Sequence, residues 1–190
     1  MKKSGLLKIE HHEIYYEFYR NSEEAQTMVF LHEGLGSTAQ WKSLPQEIFK
    51  LTSLNVLVYD RCGYGESSPA PEDYPLDYLR FEARIILPQL LEQLQISKCH
   101  LWGHSDGGTI ALLFAAYYPL KTLSVITEAA HVSIEEISRK GIREIRKIYQ
   151  KKLQKPLERY HGKKADWVFF HWADTWLNRA FYNWNMKREL

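Results

Sequence analysis

The stretch CHLWGHSDGGTIALLFAAYYP, residues 99–119, decides how this chain is read. An apolar run, CHLWG, is broken by Gly-His-Ser-Asp-Gly-Gly, and a second apolar run at helical spacing follows. The first run predicts a buried strand and residues 106–118 predict a helix, so the break falls on a strand-to-helix turn. Gly103, Ser105 and Gly107 fit the spacing Gly-x-Ser-x-Gly. Glycines two residues either side of a serine let strand and helix approach closely. The serine between them is held in strained backbone geometry with its hydroxyl projecting. The helix that follows points free N–H groups at the same place, which favours developing negative charge. The bland alternative is a structural turn in which the glycines serve packing alone.

Outward from this turn, the pattern is strand and helix in alternation. Residues 14–18, 27–31 and 55–60 read as strands. Residues 76–94 read as an amphipathic helix with Pro88 as a kink, and residues 123–127 as a further strand. Such an order predicts an α/β fold, a mostly parallel sheet with helices on both faces. After His131 charges and aromatics dominate, and no buried strand is evident. Two regions are therefore expected, a sheet core over 1–130 and a helical region over 131–190.

MVFLHEGLGS, residues 28–37, is a strand leading into a glycine-containing loop. An oxyanion hole needs two backbone N–H groups. Asp106, after the serine, would supply one and Gly34 the other, with Leu35 the nearby alternative. If Gly34 and Gly36 only permit a tight turn, that role lapses.

These residues carry a resemblance. LHEGLGS, DRCGYGES and GHSDGGTIAL are similar to the oxyanion loop, the glycine-rich loop after the fourth strand and the nucleophile elbow of the α/β-hydrolase fold superfamily. The helical tail, with RYHG, DTWL and FYNWN, resembles a cap found in a bacterial branch of it. The resemblance implies a serine hydrolase acting on a small ester, amide or C–C bond. Ser105 would be the nucleophile, Gly34 and Asp106 the backbone donors, and no metal or organic cofactor is expected. Leu35, Trp167, Phe169, Phe170, Trp172 and Trp176 would line an apolar pocket under the cap, or else form the cap's own core. Haloalkane and epoxide hydrolases of this fold use Asp where this chain has Ser105.

A serine also needs a base and an orienting acid, in this fold in the order Ser, acid, His. On the resemblance, the last sheet strands, the usual acid and the usual histidine lie beyond Leu190. Among the residues present, His131 is the candidate base and Glu128, at the C-terminal end of the strand over 123–127, the candidate acid. A hinge role for His131 and a helix-start role for Glu128 are the competing readings. His104 should point away from the serine, His32 should brace its loop, and His161 and His171 read as packed aromatics. Asp60 reads as a turn partner for Arg61. A non-catalytic binding module, or a truncated product retaining the fold, is the alternative to an enzyme.

Composition narrows the partners. With 45% hydrophobic and 14% aromatic residues in 190, the chain can bury a sizeable core. Lys and Arg number 25 against 23 Asp and Glu, a net charge of +2, which gives no footprint for nucleic acid. No apolar run approaches the ~18 residues needed to span a bilayer. The two cysteines show no metal or disulfide spacing, so a reduced, cytoplasmic setting is expected. A small-molecule substrate is the expected partner. On the family's strand order, with the last strands absent, the strand over 123–127 would be left as an apolar, exposed sheet edge, which predicts a homo-oligomer or strand-swapped dimer.

Overall fold

The computed structural model describes all residues, 1–190, and contains one six-stranded sheet in the order β1-β2-β4-β3-β5-β6. The strands are β1 (Lys2–Ile9), β2 (His12–Tyr19), β3 (Thr27–Leu31), β4 (Asn55–Tyr59), β5 (Cys99–His104) and β6 (Thr122–Glu128). β4, β3, β5 and β6 run parallel, while β1 and β2 form an antiparallel hairpin that joins β4 through β2. β1 was not expected from the sequence. KKSGLLKI lies at the sheet edge with most of its residues in solvent, so it shows neither an apolar run nor a clean alternation.

One face of the sheet packs on α2 (Tyr78–Phe81), α3 (Leu87–Gln93) and α4 (Asp106–Tyr117) through Val29, Leu31, Leu57, Leu101 and Ile110. The other face carries α1 (Leu44–Leu51) over Phe30, Met28, Val56 and Val58, with Trp41 and Trp102 alongside. The helix expected over residues 76–94 is interrupted by a π-type turn, Glu82–Ile86, before Pro88. A proline has no N–H to give to the preceding turn and crowds the carbonyl four residues back, and the wider turn absorbs both effects.

β6 forms the open edge of the sheet, and Leu123 and Ile126 on it are 37% and 41% exposed. Three helices follow: α5 (Glu136–Ile148), α6 (Gln154–His161) and α7 (Ala165–Leu177). They have a core of their own, Ile142, Tyr149, Leu157, Ala165, Phe169, Ala173 and Trp176. Downstream, Phe181, Trp184 and Met186 return to the sheet's core. The two connections of this helical layer are clasped together: Ile134 N–H donates to the Trp184 carbonyl at 3.2 Å, and Met186 N–H to that of Val132 at 2.9 Å. A single bridge between Ser133 and Asn185 completes this neck. No helix is long and apolar enough to cross a membrane.

Candidate active site

Ser105 is the residue between β5 and α4, with φ 52° and ψ −116°, a conformation that costs a side-chain-bearing residue on the order of 1–3 kcal/mol. Its N–H donates to the Glu128 carbonyl at 2.7 Å, and its carbonyl accepts from Thr109 N–H at 3.0 Å. The flanking glycines are sterically required. A Cβ on Gly103 would overlap the backbone of Gly107, and one on Gly107 would overlap the Leu31 carbonyl. On Gly34 it would strike the Trp172 indole and lie 3.0 Å from Asp106 Oδ2, so the loop after β3, the start of α4 and α7 meet at this point.

Above Ser105 lies a small cavity of about 180 Å³, lined by Ser105, His131, Ile142, Ile145, Trp172 and Trp176, with Ser138 and Gly141 of α5. Of the residues expected in the pocket, Trp172 and Trp176 reach it; Leu35, Trp167 and Phe170 do not. Leu35 and Phe170 pack on the core of the helical layer. Trp167 stacks on His171 at 4.5 Å and edges against Tyr64 and Tyr74, on another face of α7. Phe169, four residues before Ala173, is buried in stacking on Tyr149. Four larger hollows, about 440 Å³ near Phe18, 540 Å³ near Pro71, 220 Å³ near Asn55 and 270 Å³ beside Trp167 and Phe170, are not lined by this serine.

The structure does not bring Glu128 and His131 together. The Glu128 carboxylate accepts from Trp102 Nε1 at 2.8 Å, on the α1 side of the sheet. His131 lines the cavity with its ring against Trp176 at 4.9 Å, and its nearest carboxylate is Glu135, 3.9 Å from Nδ1. The backbone of His131 is doubly held by Thr109, whose hydroxyl accepts from its N–H at 3.0 Å and donates to its carbonyl at 2.8 Å. No histidine or carboxylate side chain hydrogen-bonds Ser105. His104 lies 3.6 Å from Glu33. His32 donates to the Glu33 carbonyl and accepts from Arg61 N–H, bracing two loops.

Two acids make side-chain contacts that the sequence did not suggest. Asp60 does not partner Arg61. Its carboxylate accepts from Thr38 N–H at 2.6 Å and Glu66 N–H at 2.8 Å, tying together the loops after β3 and β4. Arg61 instead faces Asp106, 3.6 Å from Oδ2, with both side chains almost fully buried. Tyr78 donates its hydroxyl to the same Asp106 oxygen and accepts from Trp176 Nε1 at 3.1 Å. Asp106 thus carries a side-chain role that its position as a backbone donor did not suggest. Burial pushes its carboxyl pKa up, and Arg61 and Tyr78 act against that. An acid inside the elbow motif, with an arginine in the preceding glycine-rich loop, was the available signal.

His171 is a half-buried imidazole, packed between Trp167 and Tyr78. Burial, with Arg61 nearby, lowers its pKa to about 4. Unfolded, it binds a proton near pH 6.5; folded, it does not until about pH 4. Stability is therefore full above pH 6.5 and lost as pH falls through that window, at up to about 1.4 kcal/mol per pH unit. His171→Phe, which keeps the stacking, should flatten the decline in Tm between pH 6.5 and 4.5. An unchanged slope would remove His171 as a cause.

The chain belongs to the α/β hydrolase fold family, whose model matches residues 26–187. Serine hydrolase BPHL of Mus musculus is 33% identical over 152 residues, 76% of this chain and 50% of that protein. A proline iminopeptidase of Lactobacillus crispatus (strain ST1) is 32% identical over 116 residues, 60% of this chain and 39% of the relative. A solved α/β hydrolase enzyme from a Medee basin deep-sea metagenome library shares the fold with a TM-score of 0.71 at 20% identity, over 98% of this chain and 74% of that one. The chain spans about half the length, or less, of the curated relatives just described.

Proposed function

We propose that this protein is a serine hydrolase that cleaves a small ester, amide or C–C bond substrate. The observation that carries this reading is Ser105 held in left-handed backbone geometry at the mouth of an aromatic-walled cavity. Ser105 Oγ attacks the substrate carbonyl carbon, and the N–H groups of Gly34 and Asp106 hold the oxyanion. Collapse of the tetrahedral species expels the leaving group, which takes up the serine's proton. Water then releases the acyl group by the same steps. Among the residues present, His131 is the base, with Glu135 rather than Glu128 as its carboxylate neighbour. A histidine from outside these residues, brought to the same end of the sheet, is the other source. The scheme needs no cofactor, and no group of three His, Cys, Asp or Glu side chains is arranged to hold a metal. Two free, buried cysteines support a cytoplasmic setting. Residues 1–130 serve as core and 131–190 as cap in this reading.

A fluorophosphonate probe tests it: the folded protein should be labelled at Ser105, located by peptide mass spectrometry. The non-catalytic reading draws on the lack of any base bonded to Ser105. A folded protein that resists the probe and turns over no short-chain ester would favour it.

The open β6 edge supports self-association, because its unpaired backbone groups and half-exposed Leu123 and Ile126 can pair with a second copy. Light scattering should show a dimer, and Ile126→Lys should shift it toward monomer. A monomeric wild-type protein at tens of micromolar would end this part of the reading.

A further inference from the structure

One buried side chain is used at both ring nitrogens by the backbone around the candidate oxyanion hole. His161, the last residue of α6 and 2% exposed, accepts from Gly65 N–H at Nδ1 and donates through Nε2 to the Leu35 carbonyl, each at 3.0 Å. Because Nδ1 accepts, the single proton of the neutral ring sits on Nε2, and one tautomer satisfies both loops. An imidazolium would set an N–H against the Gly65 N–H. Burial, opposed by the Leu35 bond and aided by Lys164 and Arg61, lowers the pKa to about 4, so the neutral ring is the working form. His32, at the end of β3, is the other titratable group acting on this ring, and the Tyr64 ring lies 5.8 Å away.

What His161 holds is one end of a tight turn. Gly36 N–H donates to the Glu33 carbonyl at 3.0 Å, so Gly34 and Leu35 occupy the two central positions, whose N–H groups the turn leaves unused. Gly34 is the loop's candidate oxyanion donor and Leu35 its alternative, alongside Asp106 from α4. At the start of the turn, Glu33's carbonyl is fixed by the core, through His32 Nδ1 and Arg61 Nη2, both at 2.8 Å. At its other end, the Leu35 carbonyl receives only His161. The same ring grips Gly65, in the loop that Asp60 ties to Thr38. Lys164 adds donors to the carbonyls of Tyr64, Gly65 and Ser67.

We propose that His161 is a positioning residue: the helical layer sets the angle of the oxyanion turn through the Leu35 carbonyl, so the hole is completed only when α6 is seated. This rests on the reading of Ser105 as nucleophile and of this turn as its oxyanion loop. Two variants separate hydrogen bonding from packing. His161→Gln keeps one acceptor and one donor but loses the ring; His161→Phe keeps the ring against Tyr64 but loses both bonds. Fluorophosphonate labelling of Ser105 should stay within about threefold of wild type in the Gln variant. It should fall about tenfold or more in the Phe variant, as misplacement of an oxyanion donor requires. Hydrogen exchange at Gly36 and Gly65 should rise in Phe and not in Gln. A Phe variant that labels at the wild-type rate, or a Gln variant as slow as Phe, overturns the proposal. If the wild-type protein is not labelled at all, the hydrolase reading fails instead, and the exchange rates still decide whether His161 holds the turn: equal protection in all three proteins would refute it.

Discussion

Ser105→Ala is expected to abolish fluorophosphonate labelling and to cut turnover of any acyl substrate by about 10³-fold or more. The argument is local. Alanine retains the Ser105 N–H bond to Glu128 and its carbonyl bond to Thr109, so the turn should survive. Alanine bears the same left-handed strain as serine, and Tm should therefore move little. Cavity and backbone donors remain as well, and the only loss is the oxygen that forms the covalent intermediate. Residual turnover would measure what binding and the oxyanion donors achieve alone. If Ser105→Ala retains the wild-type labelling rate, the probe is reacting elsewhere and the proposed nucleophile is wrong.

Gly107→Ala should be the most destabilising single methyl in the chain, by ~3 kcal/mol or more, lowering Tm by about 10 °C. Its Cβ would overlap the Leu31 carbonyl and lie 2.7 Å from that of His32. Both obstacles are backbone, so no rotamer change relieves them. α4 would have to lift from β3, carrying Ser105 away from Gly34. Gly141→Ala is the control, because nothing lies within 4 Å of its Cβ position in the middle of α5. There alanine should add about 0.5–1 kcal/mol of stability through helix propensity. Thermal unfolding of the two variants side by side checks both signs. A tolerated Gly107→Ala would mean that α4 is looser against β3 than the geometry states.

These two glycines show where the sequence is readable. GHSDGG announces a crowded turn because its glycines are spaced around a serine between two apolar runs, and the close approach follows from that setting. β3 and β4 are legible for a related reason: buried on both faces, they appear as TMVFL and NVLVY, with few polar residues to confuse the pattern. β1 escapes because an edge strand answers mainly to its neighbour's backbone, which leaves little trace in side-chain type. The pocket is half legible. Aromatic abundance in α7 is plain, but whether Trp167 or Trp172 faces Ser105 depends on how the helix is rotated over the sheet. The facing of Arg61 and Asp106 leaves only a faint signal, an acid in the elbow and an arginine in the preceding glycine-rich loop. It joins a loop residue to the first residue of α4, and an acid beside a nucleophile reads first as a neighbour in sequence, not as a partner across the core.

The neck formed by residues 132–134 and 184–186 has a consequence for how this architecture can diversify. With its two stalks clasped, everything between them is, to the rest of the molecule, a loop already closed. Closure entropy grows slowly with length, by about 0.6 kcal/mol for each doubling. The span between the stalks is thus an exchangeable cassette: helices can be added, shortened or replaced there at small thermodynamic cost, while β5, Ser105 and α4 stay as they are. Several groups would have to be supplied again by any replacement, among them the imidazole that grips Leu35, the Lys164 ammonium on the loop after β4, the indole that reaches Tyr78 and the Phe181 ring in the sheet's core. A grafted cassette that carries these groups inherits the elbow intact and alters only what the cavity admits.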